Sequence, residues 1–191
     1  MNNKLKTILF AGVFVILIAF SILAYNVLKD NFETQNGLTV TDNKGAVSNT
    51  EKNKTKAPDF TVTDTDGKEV KLSDMLGRPI VLNFWASWCP PCKSEMPDFN
   101  NVYKGIGDDI IFMMVNMTDG RRETMEKGAQ YIAGQGFSFP IYFDIKQEGA
   151  YNYGIRSIPT TVLIDKDGNI ITITQGAIDE KTLRQGIELI K

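Results

Sequence analysis

The chain has 191 residues, a formal charge of -2 and no basic run longer than Arg121-Arg122, which leaves room for one ordinary domain plus an appendage and gives no footprint for a nucleic-acid backbone. It contains no histidine, so His-based triads, His general bases and His metal sites are excluded together. Its two cysteines, Cys89 and Cys92, either pair with each other or serve no disulfide framework.

From Thr7 to Leu28 the sequence is uncharged and dominated by Ile, Leu, Val, Phe and Ala. About 20 such residues cross a bilayer as a helix. Lys4 and Lys6 precede the run, whereas Lys29 and Asp30 cancel beyond it, so the positive-inside rule keeps residues 1–6 in the cytoplasm and sends the remainder outside. A cleaved signal peptide shares the basic start, but its apolar core is shorter, about 7–15 residues. No Ala-x-Ala-like site follows this run, nor does the cysteine that a lipoprotein would need. Residues 7–28 are therefore read as a transmembrane anchor, and residues 29–57, polar and without sustained period, as a flexible extracytoplasmic tether. As a random coil that tether reaches about 30 Å.

The folded domain is expected over 58–191. Residues 60–65 and 69–72 alternate in polarity around Asp66-Gly67, a hairpin signal. The apolar run from Pro79 to Ala86 predicts a central strand covered on both faces, and Pro90-Pro91 suits the first turn of a helix running to about Ile106. A second buried strand follows at 110–117, then a helix from Arg122 to about Ala133, stopped by Gly134 and Gly136. A short strand at 141–143 and a short helix from Gln147 to Tyr153 come next. A hairpin pairs 160–165 with 170–174, and Leu183, Ile187 and Ile190 mark one face of a last helix from Asp179 to Ile190. The order β-β-β-α-β-α-β-α-β-β-α implies an α/β fold, with a mixed central sheet and helices on both faces.

A Cys-x-x-Cys pair where a strand meets a helix suits thiol chemistry. Free N–H groups and the helix dipole stabilise a thiolate at Cys89, the expected attacking thiol, and Cys92, one turn on and more buried, is the expected resolving thiol. Half a zinc site is the rival reading, but tetrahedral zinc needs about four ligands and neither a third cysteine nor a histidine exists, so no metal is expected. A permanent structural disulfide closing so short a loop would stabilise little. Pro90 and Pro91 lack N–H donors, which limits thiolate stabilisation and favours a reductase over a disulfide-forming oxidase.

The stretch Asn83-Phe-Trp-Ala-Ser-Trp-Cys-Pro-Pro-Cys92, together with Ile158-Pro159-Thr160 before a late strand, resembles the thioredoxin superfamily and, within it, the membrane-tethered TlpA/ResA-like branch. The likeness spans 58–191 and implies a thioredoxin-like fold. It implies that Pro159 is a cis-proline facing the cysteines, that Ile158 offers backbone to a substrate strand, and that Trp88 is an exposed recognition surface beside Pro90 and Pro91. Glu95 matches an acidic residue that manages the cysteine protons; the plainer reading is a solvated carboxylate favoured by the helix dipole. Cytoplasmic thioredoxins commonly hold a buried Asp at the position of Asn83, which cannot titrate, so the proton role shifts toward Glu95 or solvent.

The resemblance implies reduction of disulfide-containing proteins outside the membrane, apocytochrome c among them, with electrons from a membrane dithiol carrier and no cofactor beyond the Cys89–Cys92 disulfide. Haem attachment itself would need Cys-x-x-Cys-His, and Lys93 follows Cys92. The Pro58-Asp59-Phe60 start also resembles the peroxiredoxin-related AhpC/TSA group, but a thiol peroxidase needs Thr-x-x-Cys, and Ala86 stands three residues before Cys89. A non-catalytic binding module would have no need of the cysteine pair.

Overall fold

Gly67, at φ 83°, turns the chain between β1 (Thr61–Thr63) and β2 (Glu69–Lys71), which pair antiparallel with Val62 opposite Val70. A computed structural model describes Thr55–Lys191, and the tail, the anchor and the tether as far as residue 54 lie outside the described residues. Among the described residues no helix is long and apolar enough to cross a membrane. Residues 55–57, read as tether, run beside the late hairpin: Thr55 accepts from the Ile170 N–H, and the Ala57 N–H donates to Gly168 at 2.9 Å.

After a 3-10 turn at Leu72–Met75, the apolar run forms β3 (Ile80–Trp85), with all six residues buried. Helix α1 (Pro90–Ile106) follows, and carries Pro97 on its exposed face. Strand β4 (Ile111–Asn116) is again wholly buried and pairs parallel with β3, Ile80 opposite Ile111. Helix α2 (Met125–Gln135) begins three residues later than the sequence suggests. Thr124 caps it by accepting from the Lys127 N–H, and Arg122 and Glu123 are held in the preceding loop. Gly134 lies inside the helix, and Gly136, left-handed at φ 68°, ends it.

Then come β5 (Ile141–Phe143), α3 (Glu148–Asn152), β6 (Thr160–Ile164), β7 (Ile170–Gln175) and α4 (Glu180–Glu188). The strands form one mixed sheet in the order β2-β1-β5-β4-β3-β6-β7. Alternation along the central strands divides the core. Val81, Trp85, Phe112 and Met114 meet α1, α2 and α4, whose Phe99, Ile132 and Leu183 join the same cluster. Ile80, Leu82, Phe84, Met113 and Val115 pack on the other face with Phe60, Leu72 and Tyr153, under α3 and the 3-10 turn. Three helices thus cover one face and only the short α3 the other.

This topology places the chemistry. Strand β6 runs antiparallel to β3 with Thr160 opposite Phe84, so the segment entering β6 meets the segment leaving β3. Cys89 and Pro159 are brought together there.

Candidate active site

Beyond β3 the chain turns tightly, the Cys89 N–H donating to the Ala86 carbonyl at 3.1 Å, and Cys89 becomes the N-cap of α1. The Cys92 N–H points at the Cys89 Sγ at 3.2 Å. Pro90 and Pro91 occupy the first two helical positions without N–H groups to offer, so the first turn supplies that single backbone donor to the sulfur. The sulfurs are joined at 2.08 Å, and both cysteines are buried. Cys89 is as enclosed as its partner.

Across from them the Ile158–Pro159 peptide bond is cis, and the Ile158 carbonyl oxygen lies 3.6 Å from the Cys89 Sγ. In the disulfide that sulfur has no proton, so this is a contact; a reduced Cys89 thiol could donate across it. The Thr160 hydroxyl donates to the Ser157 carbonyl at 2.8 Å and braces the turn. Trp88 is exposed beside Cys89, whereas Phe84 and Trp85 are fully buried.

Glu95 is not the solvated carboxylate of the plainer reading, being only 2% exposed. The Asn83 side-chain amide donates to its Oε1 at 2.9 Å, and the Ile178 N–H, from the loop before α4, donates to its Oε2 at 3.1 Å. Burial raises its pKa from 4.5 to about 7, outweighing these two hydrogen bonds, which favour the charged form. The same Asn83 amide donates to Thr161 Oγ1 at 3.0 Å, which fixes its orientation. Glu95 and Cys92 are three residues apart on α1 and share a face. Such a group can take or return a proton near neutral pH.

The AhpC/TSA family matches residues 54–173. The chain belongs to that family. Thiol-disulfide oxidoreductase ResA of Geobacillus thermodenitrificans (strain NG80-2) is 35% identical over 135 residues, covering 71% of this chain and 76% of that protein. The crystal structure of StoA from Bacillus subtilis superposes with a TM-score of 0.60 at 28% identity, over 68% of this chain and 96% of that one. The pneumococcal exposed lipoprotein thioredoxin Etrx1 from Streptococcus pneumoniae strain TIGR4 gives 0.62 at 30%, over 69% and 99%. This AhpC/TSA member is accordingly a thiol-disulfide oxidoreductase of the ResA and StoA type, on a thioredoxin-like fold.

One part of the oxidoreductase's site is hidden in the sequence. Glu123, fully buried, accepts from the Ser87 N–H at 3.0 Å, the Ser87 hydroxyl at 2.7 Å and the Asn116 amide at 2.7 Å. The Thr118 hydroxyl completes the network by donating to Asn116 Oδ1 at 2.8 Å. This cluster pins the turn that carries Trp88 and Cys89. A helix starting at Arg122 would have put Glu123 in a solvated first turn. The available signal was Thr124, a favoured N-cap residue. Glu123→Ala would leave the buried Asn116 amide and the part-buried Ser87 N–H without this acceptor. It is expected to cost roughly 2–4 kcal/mol, read as a lowered chemical-denaturation midpoint. A midpoint equal to that of the wild type would show that the network is dispensable.

Proposed function

We propose that the chain is a membrane-anchored, extracytoplasmic reductase of protein disulfides. Cys89 attacks, Cys92 resolves and Glu95 relays the proton between the dithiol and solvent. What supports the reading above all is the disposition of the Cys89 sulfur, which caps a helix and touches the Ile158 carbonyl beside an exposed tryptophan.

In the reduced enzyme the Cys89 thiolate attacks one sulfur of a substrate disulfide. The substrate S–S bond breaks, a Cys89–substrate bond forms, and the departing sulfur takes up a proton. Cys92 then gives its proton to the Glu95 carboxylate and attacks the Cys89 Sγ, releasing the second substrate sulfur as a thiol. Two electrons have moved, and the Cys89–Cys92 disulfide remains. Ile158 offers backbone to the substrate in the manner of an added strand, with Trp88, Pro90, Pro91 and Pro159 forming the surface around it. No metal or separate cofactor takes part.

The direction follows from how weakly the Cys89 thiolate is stabilised. It receives one N–H from the first turn, and Glu95, on the helix face of Cys92, disfavours a second negative charge on that partner thiol. A poorly stabilised reduced form is a good reductant. Residues 7–28 are the anchor, and a membrane dithiol carrier returns electrons to the disulfide. The Streptococcus pneumoniae relative is described as an exposed lipoprotein, consistent with an outside location. Apocytochrome c is one substrate class for such an enzyme.

The reduction potential tests the direction. The full-length chain in detergent is equilibrated with dithiothreitol or glutathione buffers, and its free thiols are trapped. A value near or below about -270 mV is expected. One near about -120 mV would make the protein a disulfide-forming oxidase.

A further inference from the structure

Beside Cys89 lies a groove of about 210 Å³, with Trp88, Met117, Ile155 and Ile158 supplying apolar surface and Asp119 and Arg156 among its polar lining. The charges around it are uneven. The Arg122 guanidinium carbon lies over Trp88, 3.5 Å from the ring centroid, and Arg156 forms part of the wall. Neither Arg122 nor Arg156 has an ion-pair partner among the described residues. Asp119, the carboxylate in this lining, turns its Oδ1 toward the N–H groups of Arg121 and Glu123, at 2.8 and 2.9 Å.

Arg122 is not left to wander. Glu123, its neighbour, is clamped to Ser87, the neighbour of Trp88, so two adjacent pairs of residues face each other across the loop. The buried clamp holds the backbone and the aromatic ring holds the guanidinium, which keeps several donors for an incoming anion. This cationic rim stands on a chain whose formal charge is -2, so it is a local feature and not a reflection of overall composition.

We infer that Arg122 on Trp88, with Arg156 in the groove wall, is a specificity determinant that favours protein disulfides with an acidic residue beside the cysteine that Cys89 attacks. The inference rests on the reading of this site as a protein disulfide reductase. A carboxylate next to the attacked sulfur meets a fork of donors at an exposed rim, whereas a lysine there meets two like charges against the single carboxylate of Asp119. The contact forms on binding and leaves the exchange chemistry unchanged, so its effect belongs in KM.

The test uses the full-length chain in detergent, dithiothreitol as two-electron donor, and two synthetic peptides with one disulfide each, differing only in Asp or Lys beside the attacked cysteine. The acidic peptide is expected to show a KM roughly threefold to fivefold lower at similar kcat, an advantage that fades at about 1 M salt. Arg122→Glu should reverse the order, and Arg122→Lys should retain part of it. Equal KM values in the wild type, or an unchanged preference in Arg122→Glu, would overturn the inference. Reduction of insulin by the same preparations reports on the parent activity. Its absence in the wild type would sink both readings, whereas insulin reduction with equal peptide KM values would sink only this one.

Discussion

Replacing Cys89 with serine should abolish disulfide reduction, leaving only the uncatalysed exchange between dithiothreitol and substrate. A hydroxyl at that position is a far weaker nucleophile than a thiolate and cannot form a mixed disulfide. Cys92→Ala should behave differently. Attack by Cys89 still occurs, but nothing on the enzyme resolves the product, so the substrate stays attached to Cys89. Non-reducing electrophoresis or intact-mass measurement would show this adduct in Cys92→Ala and not in the Cys89→Ser, Cys92→Ala double variant. Retention of turnover by Cys89→Ser, or an adduct mapped to Cys92 in the wild type, would exchange the attacking and resolving roles of the two thiols. The fold should tolerate either single change, since the sulfurs bridge residues already three apart in one helical turn.

The second large effect concerns Glu95 and pH. Burial lifts its carboxyl from 4.5 to about 7. Between those values the folded chain holds a proton that the unfolded chain has released. The contribution of Glu95 to stability is therefore fully present below about 4.5, declines as pH rises toward 7, and levels off once the group is ionised in both states. The decline amounts to about 3 kcal/mol. Glu95→Gln, which cannot ionise, should remove it, and denaturation midpoints at pH 5 and pH 8 would show the difference. Asp144, also raised by burial, contributes a slope of the same sign in both proteins, so the comparison isolates Glu95. For turnover the sign is opposite. The ionised carboxylate accepts the Cys92 proton, so the rate should climb with pH through about 7, and Glu95→Gln should lose on the order of a hundredfold there. An unaltered pH–rate profile in Glu95→Gln would remove Glu95 from the proton pathway.

The parts of the molecule behind these effects were unequally legible. The β1–β2 hairpin, the two buried central strands, the start of α1 and the late hairpin could all be read locally. Each is written in a period of hydrophobicity, a turn dipeptide or a proline at a helix start, signals that act within a few residues. The cysteine pair was equally plain, because a three-residue spacing on a helix puts both sulfurs on one turn. The start of α2 was misplaced for a reason outside its own segment. Ser87 and Asn116 draw Glu123 into the loop, and Thr124 takes the cap.

Chemistry that depends on distant partners was decided only in three dimensions. Antiparallel pairing of β3 with β6 sets the Ile158 carbonyl against Cys89, 69 residues away in sequence. No window along the chain contains both, and from the sequence only the family resemblance of Ile158-Pro159-Thr160 pointed to their meeting. Glu95 is the sharpest case, since on α1 alone a solvated carboxylate and a buried proton carrier have the same pattern. Asn83 from β3 and the Ile178 N–H from the loop before α4 separate the two by enclosing the carboxyl and binding its oxygens. Local sequence sets which conformation a segment prefers, because propensity and periodicity are short-range. Burial, and with it the pKa of a side chain, is set by whatever other segments pack over it, and only the folded sheet brings those segments together.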